Sequence, residues 1–111
     1  MAHICMIQLQ AAPYVGTAYL NGVAKSSGHK FTLLLRSDNS FDKINAEIGK
    51  LKPDIIGFSC MTGFHIKALR VIKKIKEKFD IPVIMGGPHP TLFPEVIDED
   101  GVDMICRGEG E

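Results

Sequence analysis

Asp54-Ile55-Ile56-Gly57-Phe58-Ser59-Cys60, residues 54–60, is an almost unbroken apolar run set between a helix that Pro53 ends and a helical-period segment from Phe64 to Phe79. An apolar run without alternation reads as a strand covered on both faces, which is the condition of a parallel sheet. The segment behind it spaces Ile66, Leu69, Ile72, Ile75 and Phe79 along one inward face. Lys67, Arg70, Lys73, Lys74, Lys76 and Lys78 are left to water. Ile81 to Met85 is the next apolar run, with Pro82 tolerated at its start. Strand, helix and strand joined this closely form one right-handed crossover.

The same alternation extends in both directions. Upstream, His3 to Leu9 reads as a first strand, followed by the loop Gln10-Ala11-Ala12-Pro13-Tyr14. A helix from about Gly16 then stops at Ser26-Ser27-Gly28, where Gly28 suits a left-handed cap. Phe31 to Leu35 is a second strand. Asp38-Asn39-Ser40 supplies an N-cap, and Phe41, Ile44, Ile48 and Leu51 share one helical face. Downstream, Gly86-Gly87-Pro88-His89-Pro90 reads as a rigid loop, and Thr91 as the cap of a short helix through Glu99. Val102 to Cys106 is a fifth strand, placed at an edge because Asp103 interrupts it. Five strands alternating with four helices predict one doubly wound α/β domain over residues 1–111, with a parallel sheet of order 2-1-3-4-5.

Composition narrows the function. Thirteen Lys+Arg balance thirteen Asp+Glu, so the basic footprint of a nucleic-acid or polybasic membrane binder is missing. No apolar run approaches the roughly 18–20 residues of a membrane span. The N-terminus has no Lys or Arg before its apolar stretch, unlike a signal peptide. Three scattered cysteines form no disulfide framework, so a reducing cytoplasm is the expected compartment.

In such a sheet, ligands bind beyond the carboxyl ends of the strands at the switch point between strands one and three. A G-x-x-x-x-G-K-[ST] phosphate loop is absent, as is G-x-G-x-x-G after the first strand. Gln8, Gln10 and Ser59 stand where a phospho-receiver needs acidic groups, and the flavodoxin-type hydroxyl-rich loop is missing. No nucleophilic triad and no zinc or iron–sulfur spacing is present, so neither catalytic nor metal-ligating residues are assigned. What remains is a crevice of small groups. Gly57 and Ser59 face the same side of one strand, and Gly86 and Gly87 allow close approach to the backbone at the end of the next.

Gly86-Gly87-Pro88-His89-Pro90-Thr91, Arg107-Gly108-Glu109-Gly110-Glu111, the third-strand segment Asp54 to Thr62 and Gly28-His29 together resemble the N-terminal cobalamin-binding domain of cobalamin-dependent radical SAM enzymes. The resemblance spans nearly the whole chain. It implies a flavodoxin-like, Rossmann-like three-layer αβα fold and a corrinoid whose nucleotide tail threads a slot beside strands one, three and four. It further implies that Ser59, Met61 and Thr62 line one wall, that Gly86 and Gly87 form the other, and that His89 touches a corrin side chain or a tail phosphate. Many relatives carry D-x-H-x-x-G after strand one, whose His ligates cobalt. Here Gln10 to Gly16 has neither Asp nor His, which implies base-off binding without a protein histidine. The C-x-x-x-C-x-x-C loop of the catalytic half is also missing. The chain is therefore expected to be a non-catalytic module, cut before a radical SAM domain C-terminal to Glu111. That domain would hold the iron–sulfur cluster and S-adenosylmethionine, in a methyltransferase or cyclase.

Several bland readings stand beside these. His89 as a solvent-exposed turn residue, His65 as a solvent or capping residue, and His3 and His29 as structural residues need no ligand. Cys5, Cys60 and Cys106 read as small buried hydrophobes. Two other functions compete with the corrinoid module. One is a degenerate, cofactor-free domain serving as a scaffold or dimerisation surface; the other is a stand-alone nucleotide or flavin binder, disfavoured by the missing phosphate loops.

Overall fold

The structure, a computed structural model, describes residues 1–9, 15–35, 41–61 and 63–108, with the side chains of residues 15 and 16 left aside. The expected loop at Gln10 to Tyr14, the Asp38-Asn39-Ser40 cap, Thr62 and Glu109 to Glu111 lie outside the described residues. In chain order the elements are β1 (His3–Gln8), α1 (Val15–Ser26), β2 (Lys30–Leu35), α2 (Phe41–Leu51), β3 (Ile55–Ser59), α3 (His65–Lys78), β4 (Val83–Gly86), α4 (Pro88–Leu92), a 3-10 turn (Pro94–Asp98) and β5 (Met104–Ile105). All strand pairs are parallel, and the order is β2-β1-β3-β4-β5. This is the doubly wound, flavodoxin-like sheet that the strand and helix alternation implies. No helix among the described residues is long and apolar enough to cross a membrane.

Strand alternation divides the side chains between two faces. Cys5, Ile7, Leu34, Ile56, Phe58, Val83 and Met85 point to one face and form the core with Ile44 and Ile48 of α2 and Ala68, Val71, Ile72 and Ile75 of α3. The inward stripe of α3 thus differs from the expected one at its start, since Ile66 is 54% exposed. Six residues before Ile72, at 3.6 residues per turn, Ile66 sits about 120° around the helix from it. Leu69 and Phe79 pack at the margin of the core, as expected.

The C-terminal third corrects three expectations. Pro88, His89 and Pro90 belong to α4 rather than to a rigid loop. Thr91 does not begin a helix running to Glu99, because Pro94 disfavours helical geometry at Phe93 (φ −129°, ψ 71°) and splits the segment. Thr91 Oγ1 instead donates to the Gly87 carbonyl (2.9 Å) and accepts from the Gly108 amide (2.9 Å), while the Arg107 guanidinium donates to the Thr91 carbonyl (3.2 and 3.3 Å). Finally, β5 is an edge strand, as expected, but it spans only Met104–Ile105. Asp103 keeps one backbone bond to β4, its amide donating to the Val83 carbonyl (3.0 Å), while its carboxylate accepts the Val83 amide (2.8 Å) and the Lys76 ammonium (2.6 Å).

At the end of α1 the expected cap is present. Gly28 has φ +84°, and the His29 amide reaches back to the Ala24 carbonyl (2.8 Å).

Candidate functional site

The second sheet face carries α1 on the β2 side, and beside it an open groove of about 870 Å³ runs along β1, β3 and β4. Strand register builds its floor in three levels. Ile4 lies opposite Ile55 at the bottom, and Met6, Gly57, Ile84 and Met104 form the middle level. Ser59 and Gly86 are paired at the top, with Cys106 beside them. Successive levels are two residues, hence about 6.6 Å, apart. The groove is therefore apolar at depth, and small and polar at the carboxyl ends of the strands.

Four observations give this groove its chemistry. Thr17, on the first turn of α1, is 2% exposed and lines the groove, and its Oγ1 has no hydrogen-bond partner among the described residues. A buried hydroxyl left unpaired costs about 1–3 kcal/mol, so a groove ligand with an acceptor or donor there relieves a real penalty. Secondly, Ser59 is half-buried and presents its hydroxyl at the top level. Thirdly, the ends of β3 and β4 are tied by backbone bonds: Cys60 N–H to the Gly86 carbonyl (2.9 Å) and His89 N–H to the Cys60 carbonyl (3.0 Å). Lastly, Met6 lies directly over Gly57. A Cβ there would stand 2.8 Å from Met6 Cε and 3.0 Å from Sδ.

Gly86 and Gly87 are alike in the sequence but not in the fold. A Cβ on Gly86 would meet Cys106 Cβ at an ordinary 3.7 Å. Gly87 has φ +99°, and a Cβ there would lie 2.8 Å from the Cys60 oxygen and 2.9 Å from its nitrogen. Gly87 is thus required by the contact between strand ends, while Gly86 faces open groove.

Of the residues singled out from sequence, Ser59, Gly86 and Gly87 come together in the groove lining. Met61 follows β3 with 40% of its surface exposed, and Thr62 lies outside the described residues. His89 is away from the groove lining and is not the solvent-exposed turn residue of the bland reading. The residue is 7% exposed, and its ring is stacked on His65 (3.7 Å between centroids, 8° between planes) and next to Phe93 (5.2 Å). Burial, then the neighbouring His65, lower the His89 pKa from its usual value, partly opposed by Glu95. Burial raises the Cys60 thiol to about 12 and the Cys5 thiol to about 11, so both are poor nucleophiles. Among the described residues no cluster of three or more His, Cys, Asp or Glu could hold a metal ion.

Met6 and Thr17 are not marked as site residues by the sequence. Alternation along β1 could have placed Met6 on the same face as the small residues of β3, whereas an unpaired hydroxyl leaves no trace in sequence.

Residues 10–111 match the family described as the B12 binding domain. The chain belongs to the B12-binding domain family. This B12-binding domain is 38% identical over 105 residues to the anaerobic magnesium-protoporphyrin IX monomethyl ester cyclase of Rubrivivax gelatinosus, covering 89% of the chain and 19% of the cyclase. It is 33% identical over 66 residues to the cobalamin-dependent radical SAM methyltransferase TokK of Streptomyces tokunonensis, covering 57% of the chain and 10% of that protein. The domain spans about a fifth or less of the length of these relatives. A cobalamin-binding protein from Desulfitobacterium hafniense has the same fold, with a TM-score of 0.76 at 20% identity, over 95% of this chain and 52% of that one.

Proposed function

We propose that this domain holds a cobalamin base-off, its nucleotide tail in the groove beside α1 and no protein histidine on cobalt, on behalf of a radical SAM domain C-terminal to Glu111. The Thr17 hydroxyl, buried in the groove wall with no partner among the described residues, carries the reading, because it gives an inserted ligand a polar group whose bonding is incomplete without one. The residues fit the tail of a corrinoid in other respects. Small groups at Ser59 and Gly86 leave width at the mouth, and Met6 and Ile84 give an apolar level beneath it suited to a flat aromatic base.

Ser59 and Thr17 orient the tail, Gly86 admits it, and Gly87 holds the β3 and β4 ends together. Met61, two residues beyond β3, extends the Ser59 wall of the slot, as does Thr62 by its place in the sequence, and His89 stiffens the neighbouring loop through its stack. When bound, a corrinoid supplies a cobalt centre able to carry a methyl group.

The absence of a histidine ligand rests on where the four imidazoles are engaged. His3 Nε2 bonds Thr32 Oγ1 (2.8 Å) and His29 Nδ1 accepts the Ala2 amide (3.0 Å), both at the amino ends of the strands. His65 Nδ1 accepts the Gly63 amide (3.0 Å) and its ring covers His89. The loop from Gln10 to Tyr14 contains no histidine.

Mixing the domain with hydroxocobalamin, desalting it and recording the visible spectrum tests this. The expected result is retained corrinoid with a base-off spectrum that survives substitution of each histidine. A colourless protein, both alone and within its full-length parent, would favour the cofactor-free scaffold instead.

A further inference from the structure

A corrinoid tail that passes Ser59 and Gly86 meets Met6 one level down. There the thioether fills the hollow that the missing side chain of Gly57 leaves, and Met6 is only 8% exposed. Below it, two residues further along the strands, lie Ile4 and Ile55, which line the same groove. Met6 is also absent from the core that α2 and α3 build on the opposite face, so its side chain serves the groove and not the main packing. An unbranched thioether has three rotatable bonds and makes favourable contacts with aromatic rings, which suits a floor that a planar base rests against.

We propose that Met6, seated on Gly57, is the floor of the tail groove and sets how long a lower base the bound corrinoid carries. The inference rests on the corrinoid reading above, and deepens it by naming what distinguishes one cobamide from another.

The Met6–Gly57 contact allows the floor to be moved in both directions. Met6→Ala removes the thioether and deepens the groove. Gly57→Ala puts a methyl where Met6 Cε and Sδ now rest, and because these are the far end of a flexible chain they shift outward and make the groove shallower. The double variant restores an intermediate depth.

The experiment titrates wild type, Met6→Ala, Gly57→Ala and the double variant with cobalamin (two-ring base), a phenolyl cobamide (one-ring base) and cobinamide (no base). Absorbance reports binding, and far-UV circular dichroism checks the fold. Addition or loss of a few atoms in an apolar pocket changes relative affinity by about tenfold or more. Met6→Ala should therefore shift the cobalamin-to-phenolyl ratio about tenfold toward cobalamin, and Gly57→Ala about tenfold the other way. Cobinamide should bind all four proteins alike.

Ratios that stay fixed in both single variants while wild type still binds cobalamin would overturn the floor and leave the corrinoid reading standing. The floor is overturned equally if cobinamide affinity falls in step with cobalamin, since the mouth and not the depth would then have changed. Wild type that binds neither cobalamin nor cobinamide would remove both readings together.

Discussion

Thr17→Val separates the cost of an empty groove from the gain of a filled one, because the two effects have opposite signs. Valine reproduces the shape of threonine and has nearly the same helix propensity, so the change amounts to deleting one hydroxyl. In the ligand-free domain that hydroxyl is buried with no partner among the described residues, on a residue only 2% exposed. Removing a buried, unsatisfied hydroxyl recovers part of a penalty of about 1–3 kcal/mol. We expect a gain of ~1 kcal/mol, which for a chain of this size raises the thermal midpoint by about 4 °C. In the proposed corrinoid complex the same hydroxyl would make a hydrogen bond with a net worth of about 0.5–1.5 kcal/mol, so the variant should bind about two- to tenfold more weakly. Thermal unfolding followed by circular dichroism, without and with hydroxocobalamin, reads both effects, since a ligand raises stability by RT ln(1 + [L]/Kd). A ligand-free variant less stable than wild type would mean that the hydroxyl is satisfied within the protein. Unchanged affinity would mean that it does not meet the ligand.

The two glycines at the end of β4 should respond differently. Gly87→Ala forces a Cβ to 2.8 Å from the Cys60 oxygen at φ +99°, and should destabilise the fold by about 2 kcal/mol or more in urea unfolding. Gly86→Ala, with its nearest neighbour at 3.7 Å, should change stability by less than about 0.5 kcal/mol while narrowing the mouth enough to lower corrinoid retention after gel filtration. Equal stability losses in the two variants would show that the distinction drawn between them is wrong. Asp103 gives a pH signature: the Lys76 ammonium, then the Val83 amide, hold its carboxyl below the usual carboxylate range. A lowered native pKa contributes stability above the unfolded value near 3.9, and that stability is lost as pH falls toward the lowered one. The pair is partly exposed, so Asp103→Asn should cost less than about 1 kcal/mol at pH 7, and the gap from wild type should close below about pH 4 in thermal scans.

The sheet was legible because its strands are apolar on both faces, one packed against α2 and α3 and the other lining the groove, and Ile55 to Phe58, Ile4 to Ile7 and Val83 to Met85 all carry that mark. Gly28 was legible because a left-handed cap leaves few alternatives. The shared face of Gly57 and Ser59 followed from alternation alone. Other features depended on register between strands far apart in sequence. That Gly57 is a seat for Met6 requires knowing that these two residues are paired across β1 and β3. Nor does sequence spacing show that Gly87 lies against the Cys60 backbone, or that His65 and His89 stack. Ile66 misled because a narrow helix stripe and a wide one look alike when apolar residues are plentiful.

The backbone bonds joining Cys60, Gly86 and His89 have an entropic consequence. A mouth built from main chain, fixed before any guest arrives, loses little disorder when it closes around one. Most of the ordering cost of association then falls on the guest, whose flexible tail must be frozen along the groove. Such a site discriminates by how rigid and how well shaped the incoming tail is, rather than by how far the protein can bend to meet it.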